Sequence, residues 1–571
     1  MTASAAALAA EPEGTETILA ARNLNVWFSD EDGKRKHVVK GVNLDLRRGR
    51  CVALVGESGS GKSVTARALI GLAGNGSIVE ADRLEIEEET LLGRSDAWWW
   101  RVRGSKVGFI LQDALVSLDP LRPVGNEINE ALSLHGWGTR ASRREKVLQG
   151  LTEVGVPEPE LRARQRPGEL SGGLRQRALI ASAIALHPDI VIADEPTTAL
   201  DVTVQAQVLE VLRQMLDRGT SVILISHDLA VVAKLADVIL VMKGGTIVEA
   251  GESDEILSRP KHAYTRQLLN AIPSEHTKGT RLAAIDRIPA RVLFSSRTPA
   301  PTESAPLLDG RNLAKSFRGP DGLDRTVVND VSFTLGRGET LGIVGESGSG
   351  KSTLARIALS LEVPDRGEVS FLGQPWSHAA SAKQREIRKR ISVVYQDPLS
   401  SFDPRWRVSR ILTDAIVLGD PAQASRARDR AVELLEAVGL GATQLDQWPL
   451  RMSGGQRQRV AIARAIATNP EVVVLDEAVS ALDVSVQAQI LDLLSDLQAE
   501  LGVSYLFISH DLGVIHHMSD RVLVMKDGRA VEQGTADAVF YDPRHPYTQK
   551  LLQSLPRLEY AKLRESIDGS R

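Results

Sequence analysis

An α/β architecture built from two tandem copies of one domain, each on a mainly parallel sheet, is predicted by three observations. First, the octapeptide GESGSGKS occurs twice, at Gly56–Ser63 and at Gly345–Ser352. Second, three further segments recur in the same order: TALDVTVQAQVL (198–209) with SALDVSVQAQIL (480–491), ISHDL (225–229) with ISHDL (508–512), and HAYTRQLL (262–269) with HPYTQKLL (545–552). Matching positions lie 282 to 289 residues apart, so one domain has been duplicated. Third, short apolar, β-branched runs alternate with helical patterns within each copy, the pattern of strands buried on both faces.

The length of 571 residues is enough for two large domains, each with a sizeable core. With 43% apolar and 25% charged residues the chain is ordinary globular material, which excludes collagen-like and wholly disordered classes. Lys and Arg number 69 against 73 Asp and Glu, so there is no overall basic footprint for nucleic acid. A single cysteine, Cys51, excludes a disulfide framework and any cysteine-rich metal site, and its place at a strand start reads as packing. No run of 18 uncharged apolar residues occurs, and the first residues lack a basic n-region, so neither a membrane span nor a secretory signal is expected. The default compartment is the cytoplasm.

The elements follow in order. Residues 1–15 are Ala- and Glu-rich and are expected to be disordered; the first domain takes 16–272. The segment 273–306, rich in Pro, Ser and Thr, reads as an irregular and partly flexible connector. The second domain takes 307–556, and 557–571 form a charged tail. In the first copy, strands are expected at CVALVG (51–56), IVIADE (190–195) and SVILIS (221–226); in the second, at TLGIVG (340–345), EVVVLDE (471–477) and VSYLFIS (503–509). Loops at the carboxyl ends of such strands are where ligands bind. The tryptophans Trp98, Trp99 and Trp100 read either as a core patch or as a contact with a partner, the core reading being favoured.

Gly-x-x-x-x-Gly-Lys-Ser following an apolar strand and opening a helix is a phosphate-binding P-loop. Its glycines let successive N–H groups wrap around phosphate oxygens, and the helix N-terminus adds partial positive charge. The expected nucleotide-holding residues are Gly56, Ser58, Gly59, Ser60, Gly61, Lys62, Ser63 and Val64, and their counterparts Gly345, Ser347, Gly348, Ser349, Gly350, Lys351, Ser352 and Thr353. Lys62 and Lys351 would neutralise the β- and γ-phosphates, and Ser63 and Ser352 would ligate Mg²⁺. The acid pairs Asp194-Glu195 and Asp476-Glu477 end apolar strands, where adjacent carboxylates are costly unless a cation or a proton-transfer role compensates. An acidic helix cap is the plainer reading of such a pair taken alone.

About twenty residues before each acid pair stands a Ser-Gly-Gly turn, in Leu170-Ser-Gly-Gly-Leu-Arg-Gln and Met452-Ser-Gly-Gly-Gln-Arg-Gln. With these motifs the sequence resembles the ATP-binding cassette (ABC) ATPases over almost the whole chain outside its tails and connector. The resemblance implies a mainly parallel sheet core, an antiparallel β subdomain and a helical subdomain in each copy. It implies that Asp194 and Asp476 belong to the Mg²⁺ shell, and that Glu195 and Glu477 polarise the attacking water. By the same resemblance His227 and His510 contact the γ-phosphate and that glutamate, and Gln112 and Gln396 touch Mg²⁺ or its water. Asp201 and Asp483 match the D-loop, and Phe28 and Phe317 match the aromatic that stacks on adenine. Ser171, Gly172 and Gly173, and Ser453, Gly454 and Gly455, would face the nucleotide held by the opposite copy. Neither half is degenerate, so two hydrolysing sites within one chain are expected and a homodimer is not required. Leu174 stands where the second copy has Gln456, a departure that bears on whether the sites are equal.

GESGSGKS, the run 477–491 and the two H-x-Y-T-x-x-Leu-Leu segments look like the peptide/nickel branch of ABC importers. There, two ATPases serve a permease pair at the cytoplasmic face of the cell membrane; this chain resembles those two fused, with ATP and Mg²⁺ as cofactors. The partners implied are two permease subunits and, through them, an extracytoplasmic substrate-binding protein, with short peptides or related small molecules as cargo. No cysteine follows either H-x-Y-T segment, so the iron–sulfur cluster of some members has no ligands here. The rival is a soluble twin-cassette ATPase acting on ribosomes or nucleic acid. That branch joins its halves by a long charged helix, unlike the Pro- and Ser-broken connector.

Overall fold

The structure is a computed structural model that describes residues 16–29, 34–112, 114–198, 200–274, 277–283, 306–319, 322–379 and 381–553. The N-terminal expectation for 1–15, the tail 557–571 and residues 284–305 of the connector lie outside the described residues. The chain falls into two compact units that divide at Asn270.

In the first unit, a six-stranded sheet runs in the order Thr246–Glu252, Val238–Lys243, Cys51–Val55, Ser221–Ile225, Ile190–Asp194, Val107–Ile110. All its neighbours pair in parallel except Thr246–Glu252, which pairs antiparallel with Val238–Lys243. Cys51–Val55, Ser221–Ile225 and Ile190–Asp194 are buried at every residue, as two-sided burial of β-branched runs requires. A second, antiparallel sheet is built on the long pair Thr17–Ser29 and Arg35–Arg47, with Ser77–Glu80 and Arg83–Ile86 added to the first of these. The helices Val124–Leu134, Arg140–Glu153 and Gly172–Ala183 form a helical layer.

The second unit repeats this plan. Its central sheet runs Ile391–Val394, Val472–Asp476, Ser504–Ile508, Thr340–Val344, Arg521–Lys526, Arg529–Thr535, and its antiparallel sheet is built on Leu308–Arg318 and Asp324–Leu335. Val408–Gly419, Ala427–Ala437 and Gly454–Ile466 are its helical layer. Because the central strands run parallel, the loops that follow Val55, Asp194, Ile225 and Ile110 all emerge at one edge, and those after Val344, Asp476, Ile508 and Val394 do the same.

Two expectations differ from the structure. The start of the connector is a strap ordered against the second unit: Leu282 is buried in that unit's core, as is Ala271, a residue expected in the first domain. Asp492, on the helix Val484–Leu501, accepts the N–H groups of Leu282 (3.1 Å) and Ala283 (2.9 Å). Arg281 pairs with Asp496 one turn on at 2.9 Å, and Thr277 meets His517 Nδ1 at 3.1 Å. Residues 277–283 are irregular, as expected, but held in place; composition alone reads them as flexible because the groups that order them sit more than 200 residues away. The other difference is Trp100, which is 73% exposed, whereas Trp99 is buried against Gly71. Successive residues of the helix Asp96–Val102 point to different faces, so three adjacent tryptophans do not all reach the core. Cys51 is buried at its strand start, as expected.

Candidate functional site

Each P-loop is shaped by its glycines. Gly56 has φ +150°, and a Cβ there would lie 2.1 Å from the backbone oxygen of Met242; at Gly345, φ is +151° and the distance to Met525 O is 2.2 Å. No side chain fits at either position. The helices Lys62–Leu69 and Lys351–Ala358 start directly at the loops. Lys62 Nζ donates to the carbonyls of Gly56 (2.7 Å) and Glu57 (2.9 Å), and Lys351 donates to Gly345 (2.7 Å) and Glu346 (2.8 Å). The ammonium groups are thereby held over the concave side of the loop. The buried hydroxyls of Ser60 and Ser349 have no protein partner.

Ser63 Oγ donates to Asp194 Oδ1 at 2.8 Å, and Ser352 to Asp476 Oδ1 at 3.3 Å. Burial, with the Glu195 charge beside it, pushes the Asp194 carboxyl above its ordinary value despite the Ser63 bond; Asp476 is raised for the same reasons. Asp194 Oδ2 is buried with no hydrogen-bond partner. An orphaned carboxylate oxygen next to a serine hydroxyl, beside a lysine-bearing anion loop, is what a Mg²⁺–nucleotide pair would satisfy. The residues therefore fit both groups.

Glu195 and Glu477 each sit in the left-handed region at φ +50°, a conformation that side-chain-bearing residues seldom adopt. Each places its N–H on the neighbouring strand, Glu195 on Ile225 O and Glu477 on Ile508 O, both at 2.9 Å. The Glu195 carboxylate meets His227 Nδ1 at 3.2 Å and accepts from Gln112 Nε2 at 2.8 Å and Thr198 Oγ1 at 3.1 Å. Burial pulls this carboxyl up, but the His227 bond and charge, with Lys62 and Thr198, outweigh it and leave it below its ordinary value. Burial pulls His227 down, yet the same pairing leaves it above its ordinary value. Glu477 and His510 show the same directions, with His510 Nδ1 at 3.6 Å. Gln396 reaches Ser480 Oγ at 3.4 Å, where Gln112 reaches the glutamate itself.

The two Ser-Gly-Gly turns open helices. Ser171 accepts the Leu174 N–H and Ser453 the Gln456 N–H, both at 3.3 Å. Gln456 Oε1 also accepts the Ser453 N–H, a reciprocal capping box that Leu174 has no atom to make. Gly173 and Gly455 are needed for close approach: a Cβ would stand 2.6 Å from Val204 Cγ1 and 2.4 Å from Val486 Cγ1. Asp201 and Asp483 cap the helices that carry those valines. Phe28 packs half-buried on the core, and Phe317 is 39% exposed with Lys315 Nζ 5.5 Å from its ring centre. Thr198 and the strained glutamate backbones were not singled out in the sequence; Thr198 stands in a recurring run but at a position where the second copy has Ser480.

The ABC transporter family model matches residues 39–198 and 328–480, more than half the chain. The chain belongs to the ABC transporter family. It is an ATPase of two tandem cassettes, with ATP and Mg²⁺ as its cofactors. A second family model, the C-terminal region of oligopeptide/dipeptide transporters, matches 248–296 and 531–571, the end of each cassette. Among curated relatives, the glutathione import ATP-binding protein GsiA of Salmonella choleraesuis (strain SC-B67) is 43% identical over 564 residues, covering 94% of this chain and 89% of that one. GsiA of Escherichia coli O6:H1 (strain CFT073) is 42% identical over 573 residues, covering 96% and 91%. Among solved structures, a dimeric ATP-binding cassette bound to ADP and Pi is 28% identical, with a TM-score of 0.38, covering 40% of this chain and 98% of that one. Among the described residues, no helix is long and apolar enough to cross a membrane.

Proposed function

We propose that this ATPase powers import of short peptides or peptide-like solutes, glutathione included, through two separate membrane permease subunits supplied by an extracytoplasmic binding protein. The single observation that carries the reading is the pairing of a complete catalytic set in both cassettes with the oligopeptide/dipeptide C-terminal region at the end of each. The GsiA relatives, which align over nearly the full length, support the cargo class. The chain works at the cytoplasmic face of the membrane.

In each cassette the P-loop amides and lysine hold the β- and γ-phosphates. Ser63 with Asp194, and Ser352 with Asp476, hold Mg²⁺, which when bound neutralises charge on the phosphates. Glu195 and Glu477, whose histidines hold the carboxyls below their ordinary value against burial, accept the proton of the water that attacks the γ-phosphorus. His227 and His510 hold that carboxylate from one side, and Gln112 and Gln396 approach from the other strand's loop. The Ser-Gly-Gly turns Ser171–Gly173 and Ser453–Gly455 each open a helix, whose N–H groups suit contact with a phosphate. Phe28 and Phe317 stack on the adenines, and Asp201 and Asp483 cap the helices that pack against the Ser-Gly-Gly turns.

Reconstitution with the permeases tests this. Detergent-extracted chain is expected to co-purify with two integral membrane subunits and to drive ATP-dependent uptake of a labelled peptide into vesicles. Co-purification with ribosomes or nucleic acid, and no uptake, would refute it.

A further inference from the structure

The H-x-Y-T segment that closes each cassette has no part in the chemistry above, yet its tyrosine touches the P-loop. Tyr264, buried on the helix Ala263–Asn270, accepts the Glu57 N–H on its phenolic oxygen at 3.1 Å. Tyr547, buried on the helix Pro546–Gln553, accepts the Glu346 N–H at the same 3.1 Å. Glu57 and Glu346 follow the first glycine of each loop, and the peptide that carries each of these N–H groups has the carbonyl of Gly56 or Gly345, which accepts from Lys62 Nζ or Lys351 Nζ at 2.7 Å. One peptide group is thus fixed at both ends, its N–H by a tyrosine and its C=O by the phosphate-binding ammonium.

The rest of the motif serves to place that phenol. His262 Nδ1 accepts the Tyr264 N–H at 3.1 Å, and His545 Nδ1 accepts the Tyr547 N–H at 3.1 Å, which accounts for a histidine two residues before each tyrosine. Glu249 accepts the N–H groups of Lys261 and His262, and Glu532 those of Arg544 and His545, so the turn before each helix is tied to the last strand of its sheet. Lys243 lies 4.4 Å from the Tyr264 ring centre and Lys526 4.9 Å from that of Tyr547. The arrangement occurs twice, once in each unit, to within a few tenths of an ångström at each hydrogen bond.

We propose that Tyr264 and Tyr547 are positioning residues for nucleotide binding: each phenol orients the first peptide of its P-loop and, through that peptide's carbonyl, the ammonium of Lys62 or Lys351. Through this bond the C-terminal region of each cassette bears directly on affinity for nucleotide. The inference rests on the reading that these loops hold the β- and γ-phosphates.

Phenylalanine at either position keeps the ring, its packing and its lysine neighbour and removes the hydroxyl that accepts the loop N–H. In the full-length chain, equilibrium titration with Mg-ATP and with Mg-ADP is expected to show one of two sites weakened about 5- to 50-fold in Tyr264→Phe and the other in Tyr547→Phe, with both weakened in the double variant. KM for ATP rises accordingly, kcat falls less than twofold, and the melting temperature without nucleotide stays within about 2 °C of the parent. Wild-type affinity in the double variant overturns the proposal, as does a lowered melting temperature with affinity intact, which would reduce the tyrosines to packing. The underlying reading is checked separately by Lys62→Ala with Lys351→Ala: if that variant binds Mg-ATP normally, the loops are not the phosphate sites, whatever the tyrosine variants do.

Discussion

Replacing Gly455 by alanine puts a methyl group where no space exists. The new Cβ would lie 2.4 Å from Val486 Cγ1 and 3.5 Å from Cγ2, whereas carbon atoms settle at about 3.5–4.0 Å. Either Val486 turns, which its β-branched side chain resists, or the start of the helix Gly454–Ile466 moves away by about 1 Å. Overpacking of this kind costs about 1–3 kcal/mol, offset by up to about 1 kcal/mol of helix propensity gained over glycine, for a net loss near 1 kcal/mol. The neighbour supplies the control: a Cβ at Gly454 would meet Leu482 Cδ2 at 3.7 Å, an ordinary contact, so Gly454→Ala is expected to be neutral for stability. Amide hydrogen exchange across 454–466 reads the local opening free energy directly. A shift of about 1 Å in the Ser-Gly-Gly turn is further expected to lower ATP turnover by up to about 100-fold. Val486→Ala removes both clashing carbons, so the double variant should regain at least about 1 kcal/mol relative to the sum of the singles. Equal stability losses from Gly454→Ala and Gly455→Ala, or no coupling to Val486→Ala, would refute the reasoning.

Two further predictions concern charge and the strap. His227 is expected to titrate by NMR above the usual value of about 6.5, because Glu195 overcomes burial, and Glu195→Gln should lower it, because burial and the Lys62 charge are then opposed only by the Asp228 charge. The stabilisation from the pair has a window: the raised histidine contributes fully below about 6.5 and is lost as pH rises through its folded-state pKa, while the lowered glutamate contributes above about 4.5 and is lost as pH falls through its own. Unfolding free energy measured across pH 4 to 8 in parent and Glu195→Gln checks the sign. Asp492→Ala leaves the Leu282 and Ala283 amides without their acceptor in a buried setting, for a loss of about 2 kcal/mol read as faster proteolysis within 273–283. Glu210→Ala, at the corresponding exposed position of the first cassette, should change stability by less than about 0.5 kcal/mol.

The duplicated motifs made the two-cassette plan and the principal loops legible because a P-loop needs fixed spacing and a strand and helix on either side. The Ser-Gly-Gly turns at Ser171 and Ser453 were legible for the same reason, as a recurring motif at a fixed distance from each acid pair. What escaped was long-range. The strap at 271–283 depends on Asp492 and Asp496, and the tyrosine of each H-x-Y-T segment depends on a loop some 200 residues away, so neither contact leaves a local pattern. The left-handed glutamates escaped for another reason: Glu is not a residue that favours that region, and the carbonyl that takes its N–H lies on another strand. Trp100 shows the limit of reading a run of large apolar residues as core when they sit in succession on one helix.

The account stands on Glu195 and Glu477 being the groups that take the proton from the attacking water. Steady-state ATP turnover and Mg-ATP binding, measured together on the full chain carrying Glu195→Gln and Glu477→Gln, test this most directly. The expected result is turnover lowered by about 100-fold or more with ATP binding retained at both sites. Turnover at the parent rate in that double variant would contradict the account.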